Sequence, residues 1–251
     1  MVSAKELYAY LDSIAPFDTA LGFDNAGLLI GSGETVSETV YTALDATKDV
    51  LLETAAAGAK ILITHHPIIF DALKSVPSDS VVYLAVQLGV TVLSAHTNLD
   101  IAEGGVNDTL AEALGVQIEQ RFPSDCAVFG SLNVPMNCTG LAQHIKNKVP
   151  LKGLRYTDSG KTIQKVMIAG GAGGSDVFLA KDCGADAIIT GEIKHHQILF
   201  SNDSGTAVFD LGHFGSEDLV ITKLTARLQK AFPQAVFRQA SADTDGVQYL
   251  T

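Results

Sequence analysis

The stretch Gly58-Ala59-Lys60-Ile61-Leu62-Ile63-Thr64 returns as Gly184-Ala185-Asp186-Ala187-Ile188-Ile189-Thr190, an offset of 126 residues and half the chain. Each copy follows a helix-like stretch, Lys48 to Ala57 and Asp176 to Cys183. Each of those follows a strand-like run, Thr39 to Leu44 and Lys165 to Ala169. The apolar runs leading to His96 and His213 extend the match with a shorter spacer. Agreement in both order and spacing argues for a duplicated β-α-β-α-β unit. Strands alternating with helical stretches imply an α/β chain, each repeat carrying a mixed, mostly parallel sheet flanked by helices. The seam is expected near Pro123-Ser124-Asp125, giving lobes 1–124 and 125–251. Between Cys126 and Tyr156 the pattern reads as a strand, a helix over Thr139 to Lys148, and a second strand.

A chain of 251 residues is long enough to bury about 70–75% of its extended surface without disulfide staples. Its three cysteines, Cys126, Cys138 and Cys183, show no CxxC spacing and read as reduced thiols of a cytoplasmic protein. Met1 to Tyr10 is polar and helical, without the apolar core of a secretion signal. No run reaches 18 apolar residues, so no membrane span is expected. A net charge of −11 disfavours a nucleic-acid backbone as partner, which would call for a basic face.

The chemistry collects where strands end. His65 and His66 directly follow the apolar run 61–64, and ligands of open α/β sheets gather outside the carboxyl ends of strands. An isolated His-His pair is as readily a solvated loop, but two further segments repeat the pattern. One runs from Gly89 through Thr91 to Leu93, then His96 and Asp100. The other runs from Gly205 through Val208 and Phe209 to His213 and Glu217. A helix after His213 would put His213 and Glu217 on one face, because positions i and i+4 lie one turn apart. His96 and Asp100 would converge through a loop. Three strand ends thus supply four histidines and two carboxylates, an N/O donor set that suits Zn, Mn, Fe or Co without choosing among them. Cysteine is absent from the set, which favours an open, water-bearing centre over a structural zinc. The ligand surplus would suit two divalent ions about 3.5–4 Å apart, able to acidify water and to clamp an anionic substrate.

Three other segments line this picture. Ile168 to Asp176 carries Gly170-Gly171-Ala172-Gly173-Gly174 between a strand and a helix, either a tight turn or an anion cradle. It matches neither a dinucleotide fingerprint nor a phosphate-binding P-loop. Thr190-Gly191-Glu192-Ile193-Lys194-His195-His196 places Gly191-Glu192 where the first repeat has His65-His66. Glu192 and His196, four apart, read as acid, base or supporting groups, or as solvated polar residues. Asp24 and Asn25, within Gly22 to Gly31, read as a turn or as site-lining residues. His144 reads as a solvated surface histidine.

Together these segments resemble the Nif-three-like family, also called GTP cyclohydrolase 1 type 2. The resemblance runs nearly end to end. It rests on Phe23-Asp24-Asn25-Ala26-Gly27-Leu28-Leu29-Ile30-Gly31, Thr64-His65-His66-Pro67, Ser94 to Asp100, Thr190-Gly191-Glu192 and Gly212 to Glu217. It implies two intertwined α/β repeats with a dinuclear metal site between the lobes, held by His65, His66 and Asp100 of the first and His213 and Glu217 of the second. It implies a homohexamer with the sites facing an inner cavity, and puts His96 beside the metals rather than on them. The chain has Phe23 where many relatives have Trp, Glu192 where many have Asp, and His195 where many have Tyr. It lacks the long domain some bacterial relatives insert between the halves.

The leading functional expectation is a metal-dependent hydrolase acting on a small nucleotide-like or phosphoester substrate, with His96, Glu192 or His196 moving protons. Ring opening of GTP is one version. A different class of reading is a non-enzymatic oligomer that binds or delivers metal. A peptidase is disfavoured, since no HExxH occurs.

Overall fold

The computed structural model describes residues 1–250. The chain forms two compact units, each assembled from two separated stretches: Met1–Glu103 with Ile221–Thr244, and Gly104–Val220 with Asp245–Thr251. The seam expected near residue 124 falls inside the second unit. Pro123–Asp125 is a single 3-10 turn joining the antiparallel strands Val116–Phe122 and Ala127–Asn137. Ladder hydrogen bonds, not sequence midpoints, decide the partition. The late strand Val236–Gln239 pairs in parallel with Thr39–Ala43 and so belongs to the first unit.

The first unit is built on a five-stranded sheet in the order Val236–Gln239, Thr39–Ala43, Ile61–Thr64, Thr91–Ser94, Gly27–Ile30. All neighbours run parallel except the last pair. Every residue of Ile61–Thr64 and Thr91–Ser94 is buried, as expected of strands covered on both faces. The flanking helices begin where the sequence supplies caps. Ser3 and Glu6 form a reciprocal capping box on Ala4–Ile14, Thr47 caps Lys48–Ala56, and Ser80 caps Val81–Leu88. Leu51, Leu62, Ala85, Val90 and Val92 pack into one cluster of its core.

The second unit carries six strands in the order Val116–Phe122, Ala127–Asn137, Thr162–Ala169, Ala187–Thr190, Ala207–Asp210, Arg155–Tyr156. Its central three are parallel, and the flanking strands add antiparallel pairs. Leu141, Ile145, Val166, Ile189 and Phe209 centre one core cluster, and Met167, Ile188 and Val208 point into another. Successive strand residues face opposite sides, so Ile188 and Ile189 serve different clusters.

The duplication is carried into the hydrogen-bond register. Ala43 pairs with Thr64 and Thr64 with Ser94; likewise Ala169 pairs with Thr190 and Thr190 with Asp210. Within each unit the three central strands therefore end in step. The residues that follow them occupy equivalent places along one sheet edge: Asp45 and Gly171, His65-His66 and Gly191-Glu192, His96-Thr97 and Gly212-His213. Among the described residues, no helix is long and apolar enough to cross a membrane.

Candidate metal centre

In the first unit the strand ends bring His65, His66 and His96 together. Each offers a ring nitrogen, and the three nitrogens lie within 4.8 Å of one another. The ring centroids of His65 and His66 are 4.9 Å apart, and those of His65 and His96 are 5.2 Å apart. His65 is fully buried. The segment after His96 is not a loop but the short helix Thr97–Ile101, entered from His96. One helical turn then carries Asp100 back toward the cluster, where its Oδ1 lies 3.6 Å from His65 Nε2.

The other ring nitrogen of each histidine faces an oxygen. His65 Nδ1 lies 2.9 Å from the Ala95 carbonyl, His66 Nδ1 2.8 Å from Asp45 Oδ1, and His96 Nδ1 2.8 Å from Asp24 Oδ1. Carbonyl and carboxylate oxygens only accept, so each Nδ1 donates and each neutral ring keeps its lone pair on Nε2. Metal-binding histidines are usually held in this way, the far N–H fixing tautomer and ring orientation. His144 follows a different pattern. It is half-buried rather than solvated, with Nε2 2.9 Å from the Leu114 carbonyl, and this contact ties two helices together.

The second unit supplies a smaller group. The helix His213–Glu217 forms as its spacing predicts, with His213 Nε2 3.2 Å from Glu217 Oε2 and Glu217 buried. His213 Nδ1 lies 2.7 Å from Glu192 Oε1. Glu192 thus stands in the repeat position of His66 but serves as the acceptor for a histidine. It precedes the helix His195–Ser204, so no helical turn joins it to His196, which is exposed on that helix's first turn. At 3.2 and 3.6 Å, the two Nε2–carboxylate approaches set lone pair against lone pair. A proton on the ring or a cation held between the two relieves that repulsion. The donor set of each unit, taken by itself, therefore fits a divalent cation.

The glycine-rich turn is explained by packing rather than by an anion. Gly170 N–H donates to Asn107 Oδ1, Gly171 N–H to Ser216 Oγ, and Gly173 N–H to the Gly170 carbonyl. Three of the amides that would line an anion cradle are thereby engaged. Gly171 has φ +57°, and a Cβ there would stand 2.1 Å from Glu217 Oε1. The turn is glycine because the carboxylate comes against its backbone.

Asp24 is a strongly perturbed carboxyl beside the histidines. Burial pushes its pKa up, but hydrogen bonds from His96 and from the Thr97 hydroxyl and amide outweigh this and bring it down to about 2. A carboxyl depressed from 3.8 stabilises the fold fully above about pH 4 and loses that contribution as the pH falls toward 2. At about 1.4 kcal/mol per unit the contribution is about 2 kcal/mol. In metal-free protein, Asp24→Asn is expected to shrink the stability difference between pH 5 and pH 2 by about that amount, read from urea midpoints. Equal pH dependence in both proteins would contradict this.

Among the sequence candidates, His65, His66, His96 and Asp100 meet in the first unit, and His213, Glu217 and Glu192 meet in the second. Asp45 went unnoticed in the sequence. Its signal was its place just past the carboxyl end of the strand Thr39–Ala43, the same edge that carries the histidines.

A family model described as Duf34/NIF3 (NGG1p interacting factor 3) matches residues 2–245. A Clostridium perfringens protein named GTP cyclohydrolase 1 type 2 homolog is 34% identical over 238 residues, covering 90% of this chain and 91% of that one. A Staphylococcus aureus protein of known crystal structure superposes with a TM-score of 0.91 at 26% identity, covering 99% of both chains. A Bacillus cereus protein related to NIF3 gives 0.90 at 21% identity, again covering 99% of both, and shares the fold.

Proposed function

This chain belongs to the Duf34/NIF3 family, and from that premise we propose that it is a metal-dependent hydrolase of a small nucleotide-like or phosphoester substrate. In this reading two divalent ions are held by His65, His66, Asp100, His213 and Glu217. The observation that carries it is the pattern shared by His65 and His213: Nδ1 on an oxygen acceptor, and Nε2 facing a carboxylate, Asp100 at 3.6 Å and Glu217 at 3.2 Å. The name of the Clostridium relative supports a nucleotide as substrate.

Bound divalent cations would supply positive charge that acidifies water and neutralises substrate oxygens. The chain's own residues do the rest. Asp24 fixes His96 with Nε2 as its basic nitrogen and stabilises the ring when it takes a proton there, which suits His96 to general acid–base work. Glu192 orients His213, as Asp45 orients His66. No such carboxylate bond holds His196 among the described residues, so its part in proton transfer is secondary. The family resemblance further supports assembly as a hexamer, which light scattering of the purified chain would test.

Metal-loaded protein is to be assayed on a panel of nucleotides and phosphoesters beside His65→Ala. Turnover that falls at least 100-fold in the variant supports the hydrolase. Turnover unchanged in the variant contradicts it. Reversible metal uptake without turnover on any substrate favours metal binding or delivery instead. A supporting carboxylate is expected to matter less than a ligand: Asp45→Asn should weaken metal affinity about 10–100-fold, measured by competition with a chelator. Unchanged affinity would remove Asp45 from the centre.

A further inference from the structure

Two large aromatic side chains stand exposed beside the histidine cluster of the first unit. Phe23 is 63% exposed and Phe70 47%, and their ring centroids are 6.1 Å apart. Phe70 in turn meets the His96 ring edge-on at 6.1 Å. Exposed phenyl rings are unfavourable in water, and a pair of them at the rim of a polar cluster marks a surface that something covers.

These rings are not at the ends of loose loops. The turn Phe23-Asp24-Asn25 is braced three ways. Asp24 accepts from His96 and from Thr97, and the Asn25 side-chain amide donates to the Ile69 carbonyl at 2.6 Å, one residue before Phe70. The same tripeptide therefore carries one ring, clamps the segment carrying the other, and holds His96 of the cluster. Such bracing lowers the ordering cost of binding, as expected of a preformed surface.

We propose that Phe23 and Phe70 form a stacking platform for the planar heteroaromatic ring of a ligand whose polar part reaches the histidine cluster. The inference rests on the reading of that cluster as a metal centre, and narrows the ligand class from any phosphoester to one bearing a flat ring. Phenyl faces accept any flat π-system, offset or edge-on, with ring centroids 4.5–7 Å apart. A ring lying across Phe70 would have one edge toward His96, whose Nε2 lone pair accepts from a ring N–H or amino group. A phosphorylated sugar without a base has nothing to stack.

The test uses guanosine 5′-monophosphate as the ring-bearing probe and ribose 5-phosphate as the ring-free one. Both are titrated calorimetrically into the metal-replete full chain, with metal content measured on the same samples. The expected result is tighter binding of the nucleotide than of the sugar phosphate. Phe23→Ala/Phe70→Ala should lose at least tenfold in nucleotide affinity while metal content and sugar-phosphate binding stay unchanged. Phe23→Trp should retain nucleotide binding, which a loss caused by misfolding would not allow. Equal binding of the two probes, nucleotide affinity unchanged in the double variant, or no nucleotide binding at millimolar concentration would each overturn the platform. A chain that takes up no transition metal under metal-replete conditions, yet binds the nucleotide through the two rings, would sink the metal reading and leave the platform standing.

Discussion

His65→Ala is expected to leave the chain with little or no transition metal after dialysis against a weak chelator, while its far-ultraviolet circular dichroism is unchanged. His65 is the most buried of the three clustered histidines, and its Nδ1 is committed to the Ala95 carbonyl. Removing a supporting partner from a metal site weakens binding about 10–100-fold, so loss of a ligand should exceed 100-fold. The cavity left by the imidazole should also destabilise the metal-free fold, by about 1–3 kcal/mol. Elemental analysis of dialysed variant and parent decides the matter. Equal metal in both proteins would show that the strand-end histidines do not form the centre.

Gly171→Ala is expected to have the second large effect, through the backbone. The position demands a left-handed conformation, φ +57°, which costs an alanine about 1–2 kcal/mol. In addition the new methyl would stand 2.1 Å from Glu217 Oε1 and 3.1 Å from His213 Nε2. Something must move, and what lies nearest is the carboxylate assigned to the metals. The control is Gly184→Ala, also left-handed at φ +75° but with nothing within 4 Å of the added carbon. Gly184→Ala should lower stability by only the conformational amount and keep its metal. Gly171→Ala should lower stability further and lose metal affinity at least tenfold. Thermal unfolding and metal content measured on both separate strain from displacement. Identical behaviour of the two would mean that the turn is not fitted to Glu217.

The repeat was the most legible part of the molecule, because seven residues with the same apolar phase specify both a strand and where it stops. From the strand ends, His65, His66, His96 and the His213–Glu217 turn followed directly, since their spacing is local. What supports them was harder to see. Asp24 and Asp45 reach their histidines across 72 and 21 residues, and only the sheet register brings them near. Asp24 in the sequence looks like a turn former, which it also is. The glycine-rich turn carried two readings because its composition suits both an anion cradle and a close approach. The hydrogen bonds that the Gly170 and Gly171 amides donate to Asn107 and Ser216, far along the chain, decide between them. The seam was misplaced for a related reason: a hairpin turn and a lobe boundary share the Pro-Ser-Asp composition, and the pairing of Val236–Gln239 with Thr39–Ala43 leaves no local trace.

X-ray absorption spectroscopy of the metal-replete chain tests the central idea most directly, because it reads donor atoms without a substrate. The expected spectrum shows nitrogen and oxygen neighbours at about 2.0–2.2 Å, the outer-shell signature of imidazole, and a second metal at about 3.5–4 Å. A sulfur shell near 2.3 Å, or a chain that takes up no transition metal at all, would contradict it.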